Sequence, residues 1–378
     1  MWYNKAMKTV YVGMSGGVDS SVSALLLKEQ GYRVVGVYMK NWSRDLPGMK
    51  CPWAEDLADA KRVAVKLGID FLVWDFEKEY HDKVVDYMLD EFKKGNTPNP
   101  DIMCNQEIKF KLFYEKAMED GADFIATGHY ARTSLDGSCQ TFSSPTSLTL
   151  SGGPPPCLSP VHVELVRAAD ENKDQTYFLY RISEEALRHT LFPIGGMLKP
   201  EVKKLAAEHG LHNAYKKESM GVCFVGEVGM KDFLKEYIEI EPGEIREMET
   251  EKVLGVHEGA IFYTIGQRHG LYLSGVAGEV NDGLPYYVVK KDLERNIVYV
   301  SKNLNHEAIW TKELKLKELI LRTSPASVSV RLRHRAPLIP ATFDGEMLRF
   351  EHEVKRPASG QSAVIYDGEI CLGGGIIV

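Results

Sequence analysis

The residues Gly13-Met14-Ser15-Gly16-Gly17-Val18-Asp19-Ser20 join two segments with different hydrophobic patterns. The apolar run Lys8–Gly13 predicts a short buried strand, and Ser20–Gln30 predicts an amphipathic helix that ends at Gly31. Glycines between a strand and a helix let the backbone turn tightly and bring N–H groups close to an anion. The helix N-terminus adds partial positive charge. The pattern therefore predicts an anion-binding turn at the first strand–helix junction.

The side chains of this turn suit a phosphate group. Ser15 and Ser20 can donate hydroxyl hydrogen bonds, and Asp19 could hold a metal ion that accompanies the phosphates. The turn lacks the lysine of a P-loop, G-x-x-x-x-G-K-[ST], and the spacing of a dinucleotide fingerprint, G-x-G-x-x-G. It resembles the pyrophosphate loop of the ATP pyrophosphatases, which activate a carbonyl by adenylation, and this resemblance implies that adenine contacts Met39. A plain tight turn and a core methionine are the simpler alternatives.

Strands and helices alternate through the first 130 residues. The predicted strands after the first one are Arg33–Met39, Phe71–Phe76 and Phe124–Thr127, and the predicted helices are Ala54–Gly68 and His81–Lys94. This alternation is typical of a parallel sheet covered on both faces, with ligands bound beyond the carboxyl ends of the strands.

The rest of the chain has a different texture. Ser, Thr, Pro and Gly make up 18 of the 27 residues in 134–160, which predicts a mobile insertion without a packed core. From Tyr286 onward, short alternating strands with turns predict a small barrel. The predicted fold is α/β: a parallel-sheet domain (1–215) whose loop resembles that of the ATP pyrophosphatases, which implies the adenine nucleotide alpha hydrolase type, a small central domain (216–284) and a C-terminal β-barrel (285–378).

Composition excludes several classes of protein. Hydrophobic residues make up 44% of the chain and charged residues 26%, which excludes global disorder. No apolar run approaches the roughly 18 residues of a membrane span, and the start shows no targeting segment. The net charge of −7 argues against a general electrostatic grip on nucleic acid but allows a local basic face. A cytoplasmic enzyme with no membrane association is expected.

Two of the six cysteines have flanking residues that suit a reactive thiol. The segment Thr97-Pro98-Asn99-Pro100-Asp101-Ile102-Met103-Cys104 predicts a rigid exposed turn, with Cys104 near the start of a helix at Gln106–Lys116. The helix dipole would lower the pKa of that thiol, and Asp101 could move protons for it. Cys223 lies between glycines in Glu218–Gly226, which predicts a flexible loop. The alternative for a lone cysteine is a small buried hydrophobe, and it fits Cys51, Cys139, Cys157 and Cys371.

Seven motifs, in the same order along the chain, resemble the tRNA-specific 2-thiouridylases, which make 2-thiouridine at the first anticodon position. They are GMSGGVDS (13–20), YMKNW (38–42), TPNPDIMCN (97–105), ATGHYAR (126–132), KDQTYFL (173–179), ESMGVCFVG (218–226) and YTIGQRHG (263–270). The resemblance runs from residue 9 to GQSAVIYDGEICLGGG at 360–375. The insertion at 134–160 departs from the compact bacterial pattern.

The resemblance implies a mechanism. ATP with Mg²⁺ would lie on the 13–20 loop, with Gly128 lining the pocket, and the uracil C2 oxygen would attack the α-phosphate. Cys223 would carry a persulfide charged by an upstream sulfur donor such as a cysteine desulfurase. Its terminal sulfur attacks C2, or leaves as hydrosulfide when Cys104 attacks the persulfide and a 104–223 disulfide forms. Asp101 would be the acid–base residue.

The resemblance also implies that the C-terminal barrel binds tRNA, with Lys, Glu and Gln acceptors. A monomer is expected, because the large partner is the tRNA. Asn99, Pro100 and Asp101 would contact a target base flipped out of the single-stranded anticodon loop. The other implied contacts are His129, Lys173, Asp174, Gln175, Arg333, His334 and Gln361. Independently, strand alternation over 327–335 places Ser329, Arg331, Arg333 and Arg335 on one face, which predicts a phosphate-binding stripe. A solvated barrel face is the alternative.

Three other functions are open at this point. A small-molecule synthetase would need the glycine loop but neither Cys104 nor Cys223. A non-catalytic tRNA-binding protein would keep ATP for structure alone. An iron–sulfur cluster held by two thiolates and Asp101 is conceivable but not favoured, because no third thiolate is closely spaced. A eukaryotic copy would act in mitochondria.

Overall fold

A computed structural model describes residues 7–45, 51–135, 138–139, 162–217, 229–273, 284–323, 325 and 327–378. The chain divides into two compact units. The first contains the described residues of 1–84, 100–227 and 366–373, and the second those of 85–99, 228–365 and 374–378. Within the described ranges, no helix is long and apolar enough to cross a membrane.

The first unit is built on a parallel sheet. Its strands are β1 (Thr9–Gly13), β2 (Arg33–Lys40), β3 (Asp70–Asp75), β4 (Phe124–Ala126) and β8 (Thr190–Leu191). They lie in the order β3-β2-β1-β4-β8, and β1 pairs with β2 from Thr9 opposite Arg33 to Gly13 opposite Val37. Because β2 and β4 flank β1 on opposite sides, the carboxyl end of β1 lies where the strand order reverses, a position at which such sheets bind ligands.

Helices follow these strands as the hydrophobic pattern predicts. They are α1 (Val18–Glu29), α2 (Trp53–Leu67), α3 (Glu77–Tyr80), α5 (Pro100–Met103), α6 (Phe113–Glu119), α7 (Thr176–Leu179), α8 (Glu184–Arg188) and α9 (Lys199–Glu208). A fully buried core that includes Val12, Val22, Val63 and Val202 joins the sheet to α1, α2 and α9. The predicted boundaries of the first two helices are within two residues of those observed, because each helix ends where a glycine follows.

The predicted insertion begins inside a strand. β5 (Arg132–Leu135) pairs antiparallel with β7 (Val163–Val166) and with the two-residue β6 (Ser138–Cys139). Ser134 is buried in β5, so the expectation of a segment without a packed core is wrong for its first residues, where ladder hydrogen bonds hold the chain. Residues 140–161 lie outside the described residues.

The second unit contains α4 (Asp86–Lys93), α10 (Met230–Lys235) and a four-stranded sheet. The strands are β9 (Gly243–Glu247), β10 (Val253–His257), β11 (Tyr287–Asp292) and β12 (Ile297–Ser301), in the order β10-β9-β12-β11. β12 pairs in parallel with β9, so residues 287–301 join the central strands. The expectation that these residues open the C-terminal barrel is therefore wrong, since strand pairing and not sequence texture determines the sheet.

The C-terminal strands close into a barrel. They are β13 (Trp310–Leu321), β14 (Ser327–Arg331), β15 (Ile339–Phe343), β16 (Met347–Lys355), β17 (Ser362–Asp367) and β18 (Ile370–Ile377). The order is β13-β16-β15-β14-β17-β18, and pairing between β13 and β18 closes the ring. The predicted fold class, a parallel-sheet domain followed by a small central domain and a β-barrel, is confirmed.

The arginine stripe predicted on residues 327–335 does not form. β14 ends at Arg331, which is only 5% exposed, and its pairing with β15 extends no further than Val330 opposite Ile339. Arg333 and Arg335 are exposed in the turn that follows. Alternation places side chains on one face only while the ladder continues, so it cannot align residues beyond the end of the strand.

Candidate active site

The loop between β1 and α1 is closed by its own hydrogen bonds. The Ser20 hydroxyl donates to the Gly17 carbonyl (3.1 Å) and accepts from the Ser15 N–H (3.2 Å). Gly16 has φ +77°, and a Cβ there would lie 2.4 Å from the Asp56 carbonyl oxygen of α2. Only glycine fits this left-handed position against a neighbouring backbone. The loop is thereby held in one conformation before any ligand binds.

A side chain far along the chain also holds this loop. The Asn213 amide donates to the Gly16 carbonyl and to the Ser21 hydroxyl, both at 2.9 Å, and Asn213 is 2% exposed. The Ser21 hydroxyl in turn donates to the Gly17 carbonyl (2.9 Å). The sequence analysis missed Asn213, and no local pattern marks it.

The segment after β4 forms the second wall of the site. A Cβ on Gly128 would lie 2.6 Å from the Ser20 nitrogen, so glycine is needed where this segment meets the start of α1. The Gln175 side-chain oxygen accepts from the Tyr130 N–H (2.8 Å), and the Gln175 N–H donates to the Tyr130 carbonyl (2.9 Å). Gln175 therefore fixes the backbone that follows Gly128.

These elements surround a cavity of about 270 Å³. Nine residues that the sequence analysis singled out line it: Gly13, Met14, Ser15, Asp19, Ser20, Met39, Gly128, His129 and Gln175. Of the remaining loop residues, Gly16 and Val18 are buried and Gly17 is the N-cap of α1. The cavity lies at the carboxyl ends of β1, β2 and β4, as the alternating pattern predicts for a ligand site.

Several cavity residues suit a purine nucleotide. Trp42 and Trp53 supply aromatic surface. The Asn41 side-chain oxygen is buried and has no hydrogen-bond partner among the described residues, although it lies in this wall. A buried acceptor without a donor is costly, and an exocyclic amine of a bound base would satisfy it. The residues present therefore fit ATP.

Both carboxylates of the cavity wall are bound to lysines. The Lys199 ammonium donates to both oxygens of Asp19 (2.7 and 2.8 Å), and the Tyr130 hydroxyl donates to one of them (3.0 Å). Lys216 binds Asp56 at 2.8 Å. The expectation that Asp19 holds a metal ion does not fit this arrangement, because lysine occupies the carboxylate.

His129 lies in the cavity wall, where the sequence analysis expected a contact to tRNA. Its Nδ1 lies 2.8 Å from the Thr127 hydroxyl. Burial and, second, the positive charge of Lys109 hold the pKa of His129 well below its ordinary value of 6.5. The imidazole is therefore neutral at pH 7 and can exchange hydrogen bonds without adding charge to the cavity.

The helix that carries Cys104 begins earlier than predicted. It starts at Pro100, a residue favoured at the first helical position, and passes through α5, a π-helical stretch over Cys104–Leu112 and α6. Cys104 is therefore inside the helix and only 3% exposed. The segment before it is not an exposed turn, since Pro98 and Pro100 are buried. π-Helical turns are rare and frequently occur at functional sites.

Asp101 lies in the first turn of this helix and is half-buried. Burial raises the pKa of its carboxyl, and the nearby Lys109 charge opposes that rise. Neither Asp101 nor Cys104 lines the nucleotide cavity, but Lys109 of the same helix does. Cys223 lies outside the described residues. Cys51 and Cys371 are buried, as the alternative for lone cysteines predicts.

The remaining predicted tRNA contacts have mixed surroundings. Asp174 is 1% exposed and accepts from the Ala168 N–H (3.2 Å) and the Thr176 hydroxyl (2.9 Å), so it organises a turn inside the protein and is not placed to touch RNA. Lys173, Asn99 and His334 are half-buried, and Arg333 is exposed.

Gln361, another predicted contact, holds the backbone of the TPNPD motif within the second unit. Its amide donates to the Thr97 carbonyl (2.6 Å), and the Thr97 N–H donates to the Ser359 carbonyl (2.8 Å). The Thr97 and Thr264 hydroxyls lie 3.4 Å apart, which links this motif to YTIGQRHG. Gln361 thus positions the residues that lead to Asn99.

Three family models match consecutive parts of the chain. Residues 8–227 match the tRNA methyl transferase HUP domain, 231–302 the tRNA methyl transferase PRC-barrel domain, and 304–377 the aminomethyltransferase beta-barrel domain. The middle range contains all four strands of the central sheet.

Curated relatives extend over almost the whole chain. A protein of Listeria monocytogenes serotype 4a (strain HCC23) is 44% identical over 97% of this chain and 94% of its own length. Proteins of Pseudomonas syringae pv. syringae (44%, covering 99% and 95%) and Idiomarina loihiensis (45%, covering 99% and 97%) are equally similar. All three are named tRNA-specific 2-thiouridylase MnmA. With this identity over nearly its full length, the chain belongs to the tRNA-specific 2-thiouridylase family.

Proposed function

We propose that this protein catalyses the ATP-dependent 2-thiolation of uridine at the wobble position of tRNA anticodons. The observation that carries the proposal is the cavity in which the phosphate-binding loop, Gly128 and Lys109 of the Cys104 helix meet. This cavity brings a nucleotide site next to the helix that carries the Cys104 thiol and the Asp101 carboxyl. The names of the relatives support thiolation over the methyl transfer in the descriptions of the first two family models.

The first step activates the uracil carbonyl. ATP supplies an adenylyl group, because a carbonyl oxygen leaves poorly and AMP leaves well. The C2 oxygen forms a bond to the α-phosphorus, the bond to the β-phosphate oxygen breaks, and pyrophosphate leaves with the electron pair. Loop N–H groups and the N-terminus of α1 hold the distal phosphates. The uracil N3 proton passes to Asp101, whose raised pKa brings it nearer to the working pH of a general base.

The second step delivers sulfur. The terminal sulfur of a Cys223 persulfide bonds to C2, and AMP leaves with the electron pair of the C2–O bond. The Cys104 thiolate then attacks the Cys223 sulfur, the original S–S bond breaks toward 2-thiouridine, and a 104–223 disulfide remains for an external thiol to reduce. In the other order, the Cys104 thiolate first attacks the Cys223 sulfur of the persulfide, the S–S bond breaks and hydrosulfide leaves as the 104–223 disulfide forms. The hydrosulfide then adds to C2, and AMP leaves with the electron pair of the C2–O bond. The burial of Cys104 protects its thiol from bulk oxidants between turnovers.

The finer features of the proposal follow the family pattern. The target base would be flipped toward Asn99, Pro100 and Asp101, which is inexpensive in a single-stranded loop. Arg333 and His334 would contact the tRNA backbone. The acceptors would be the Lys, Glu and Gln tRNAs, and the sulfur would come from a cysteine desulfurase or another persulfide donor. The protein would act as a monomer. It would work in the cytoplasm, which suits free-thiol chemistry because that compartment keeps thiols reduced.

Nucleoside mass spectrometry tests the proposal. Unmodified tRNA is incubated with the protein, ATP, Mg²⁺ and either sulfide or a persulfide donor, and uridine is examined for the exchange of oxygen by sulfur. We expect ATP-dependent 2-thiouridine at the wobble position. Cys223→Ser should fail with the persulfide donor and retain activity with sulfide, whereas Cys104→Ser should fail with the persulfide donor after at most one turnover.

The control is Cys157→Ser, in the predicted insertion, which should act like the wild type. A methylated uridine would favour methyl transfer, and unchanged tRNA despite ATP binding would favour the small-molecule synthetase. Iron in the purified protein that disappears in both Cys104→Ser and Cys223→Ser would favour the iron–sulfur alternative.

A further inference from the structure

Asn41 directly follows β2 and lies in the wall of the nucleotide cavity, two residues after Met39, which lines the cavity too. The side-chain oxygen of Asn41 is buried, and nothing in the described part of the chain donates a hydrogen bond to it. Most buried polar atoms in proteins are hydrogen-bonded, so an exception in the wall of a ligand cavity indicates an acceptor that a ligand completes. The group that completes it must be a hydrogen-bond donor.

The chain on both sides of Asn41 is held by hydrogen bonds. On one side, the Phe76 N–H donates to the Lys40 carbonyl (2.9 Å). On the other side, Trp42 is only 7% exposed, and its indole N–H donates to the Arg44 carbonyl (2.8 Å). The Asn41 acceptor is therefore in position before a ligand binds, so a matching donor gains its hydrogen bond without first ordering this segment.

The chemistry of an amide side chain indicates which nucleobase fits. In adenine, ring nitrogens that accept hydrogen bonds flank the exocyclic amine. An asparagine can therefore accept from the amine through Oδ1 and donate to a neighbouring ring nitrogen through Nδ2. Guanine carries a carbonyl oxygen where adenine carries the amine, so that two acceptors would face each other without a proton between them. The aromatic surface of Trp42 and Trp53 in the same cavity suits the flat rings of a purine.

We propose that Asn41 determines the base specificity of the nucleotide cavity, because its side-chain oxygen accepts a hydrogen bond from the exocyclic amine of adenine. This inference rests on the proposed function, in which the nucleotide supplies an adenylyl group. Since the oxygen is already buried, the amine displaces no water from it, and the hydrogen bond contributes more to binding than an exposed one does. A base without the amine leaves the acceptor unpaired and binds more weakly.

Calorimetric titration with ATP, GTP and purine riboside 5′-triphosphate tests this assignment. Purine riboside triphosphate differs from ATP only in a hydrogen at the place of the amine. The wild type should bind it about five- to a hundredfold more weakly than ATP, the effect of leaving a buried acceptor unpaired, and should bind GTP at least as weakly. Asn41→Leu has nearly the same shape but no acceptor, so it should bind ATP and purine riboside triphosphate with equal affinity. Asn41→Asp keeps the acceptor and should keep the preference for ATP over purine riboside triphosphate.

Thermal unfolding without nucleotide separates a binding role from a structural one. An apolar side chain of the same shape in place of an unpaired buried acceptor costs no stability, so the Tm of Asn41→Leu should equal or exceed that of the wild type. The matched control is Asn172→Leu, which changes an exposed asparagine of the same unit outside the described cavity wall and should bind all three nucleotides like the wild type.

Three results would overturn the proposal. A lower Tm of Asn41→Leu, with equal loss of affinity for ATP and purine riboside triphosphate, would mean a structural role. A wild type that binds GTP or purine riboside triphosphate as tightly as ATP would mean that the cavity does not read the amine. A preference for ATP that persists in Asn41→Leu would assign the amine to another acceptor.

The proposed function can fail separately. A wild-type protein that binds ATP but thiolates no tRNA would refute the proposed function, while the titrations would still decide whether Asn41 accepts from the amine. A wild-type protein that thiolates tRNA, with an Asn41→Leu variant that keeps the wild-type preference for ATP over purine riboside triphosphate, would refute the inference about Asn41 alone.

Discussion

Replacing Gly128 by alanine tests the close approach between the segment after β4 and the start of α1. A Cβ at this position would lie 2.6 Å from the Ser20 nitrogen and 2.8 Å from the Asp19 carbonyl carbon. Non-bonded heavy atoms need about 3.5 Å, so the two segments must separate by about 0.9 Å. Both neighbours are backbone atoms, which cannot rotate aside as a flexible side chain can.

The expected magnitude follows from this displacement. Overpacking of a rigid contact costs about 1–3 kcal/mol of the free energy of unfolding. Hydrogen bonds from loop N–H groups to a phosphate operate over only about 2.7–3.2 Å, so a shift of about 0.9 Å removes them. We expect Gly128→Ala to lower Tm and to weaken ATP binding at least about tenfold, since the loss of one charge-assisted hydrogen bond suffices for that. Thermal unfolding and calorimetric titration with ATP measure the two effects.

Gly196→Ala is the matched control, because a Cβ on this exposed glycine meets no atom within 4 Å. It should melt and bind ATP like the wild type. If Gly128→Ala also bound ATP with wild-type affinity and melted together with Gly196→Ala, the reasoning from steric contact would be refuted.

Three further predictions concern the surroundings of the site. Lys216→Met should lower the free energy of unfolding at pH 7 by about 1–3 kcal/mol, since it removes a donor to buried Asp59. Burial alone would raise the pKa of Asp59, but hydrogen bonds led by the one from Lys216 hold that pKa below 3.8. The difference in free energy of unfolding between Lys216→Met and the wild type, measured in urea, should therefore shrink as the pH falls below 3.8. A difference that stays constant with pH would contradict this. Burial raises the pKa of the Cys51 thiol above 9.0, so at pH 7 iodoacetamide should label it more slowly than free cysteine, and rapid labelling in peptide maps would argue against the burial. Gln361→Ala removes the donor to the Thr97 carbonyl and should raise the KM for tRNA without changing the affinity for ATP, and an unchanged KM would exclude a positioning role.

The nucleotide loop could be predicted from the sequence because its determinants are contiguous. A strand, a glycine turn and a helix N-terminus follow one another within residues 9–29, and this order alone places the start of α1 at the carboxyl end of β1. The alternation of strands and helices likewise predicted the parallel sheet, and with it the edge at which Met39 and Gly128 meet the loop.

Only the tertiary structure decided which distant side chains complete the site. Lys109, Lys199 and Asn213 reach the loop region from segments about 90 to 200 residues away, and nothing in their immediate neighbours marks them. The same limit explains two errors. Asp174 is buried and accepts hydrogen bonds from groups inside the protein, so it is not a surface residue. Arg331 is buried at the end of β14, so the strand stops before it can carry an exposed row of arginines. Local pattern determines backbone conformation and periodicity, whereas the distance between remote side chains depends on how the whole chain packs.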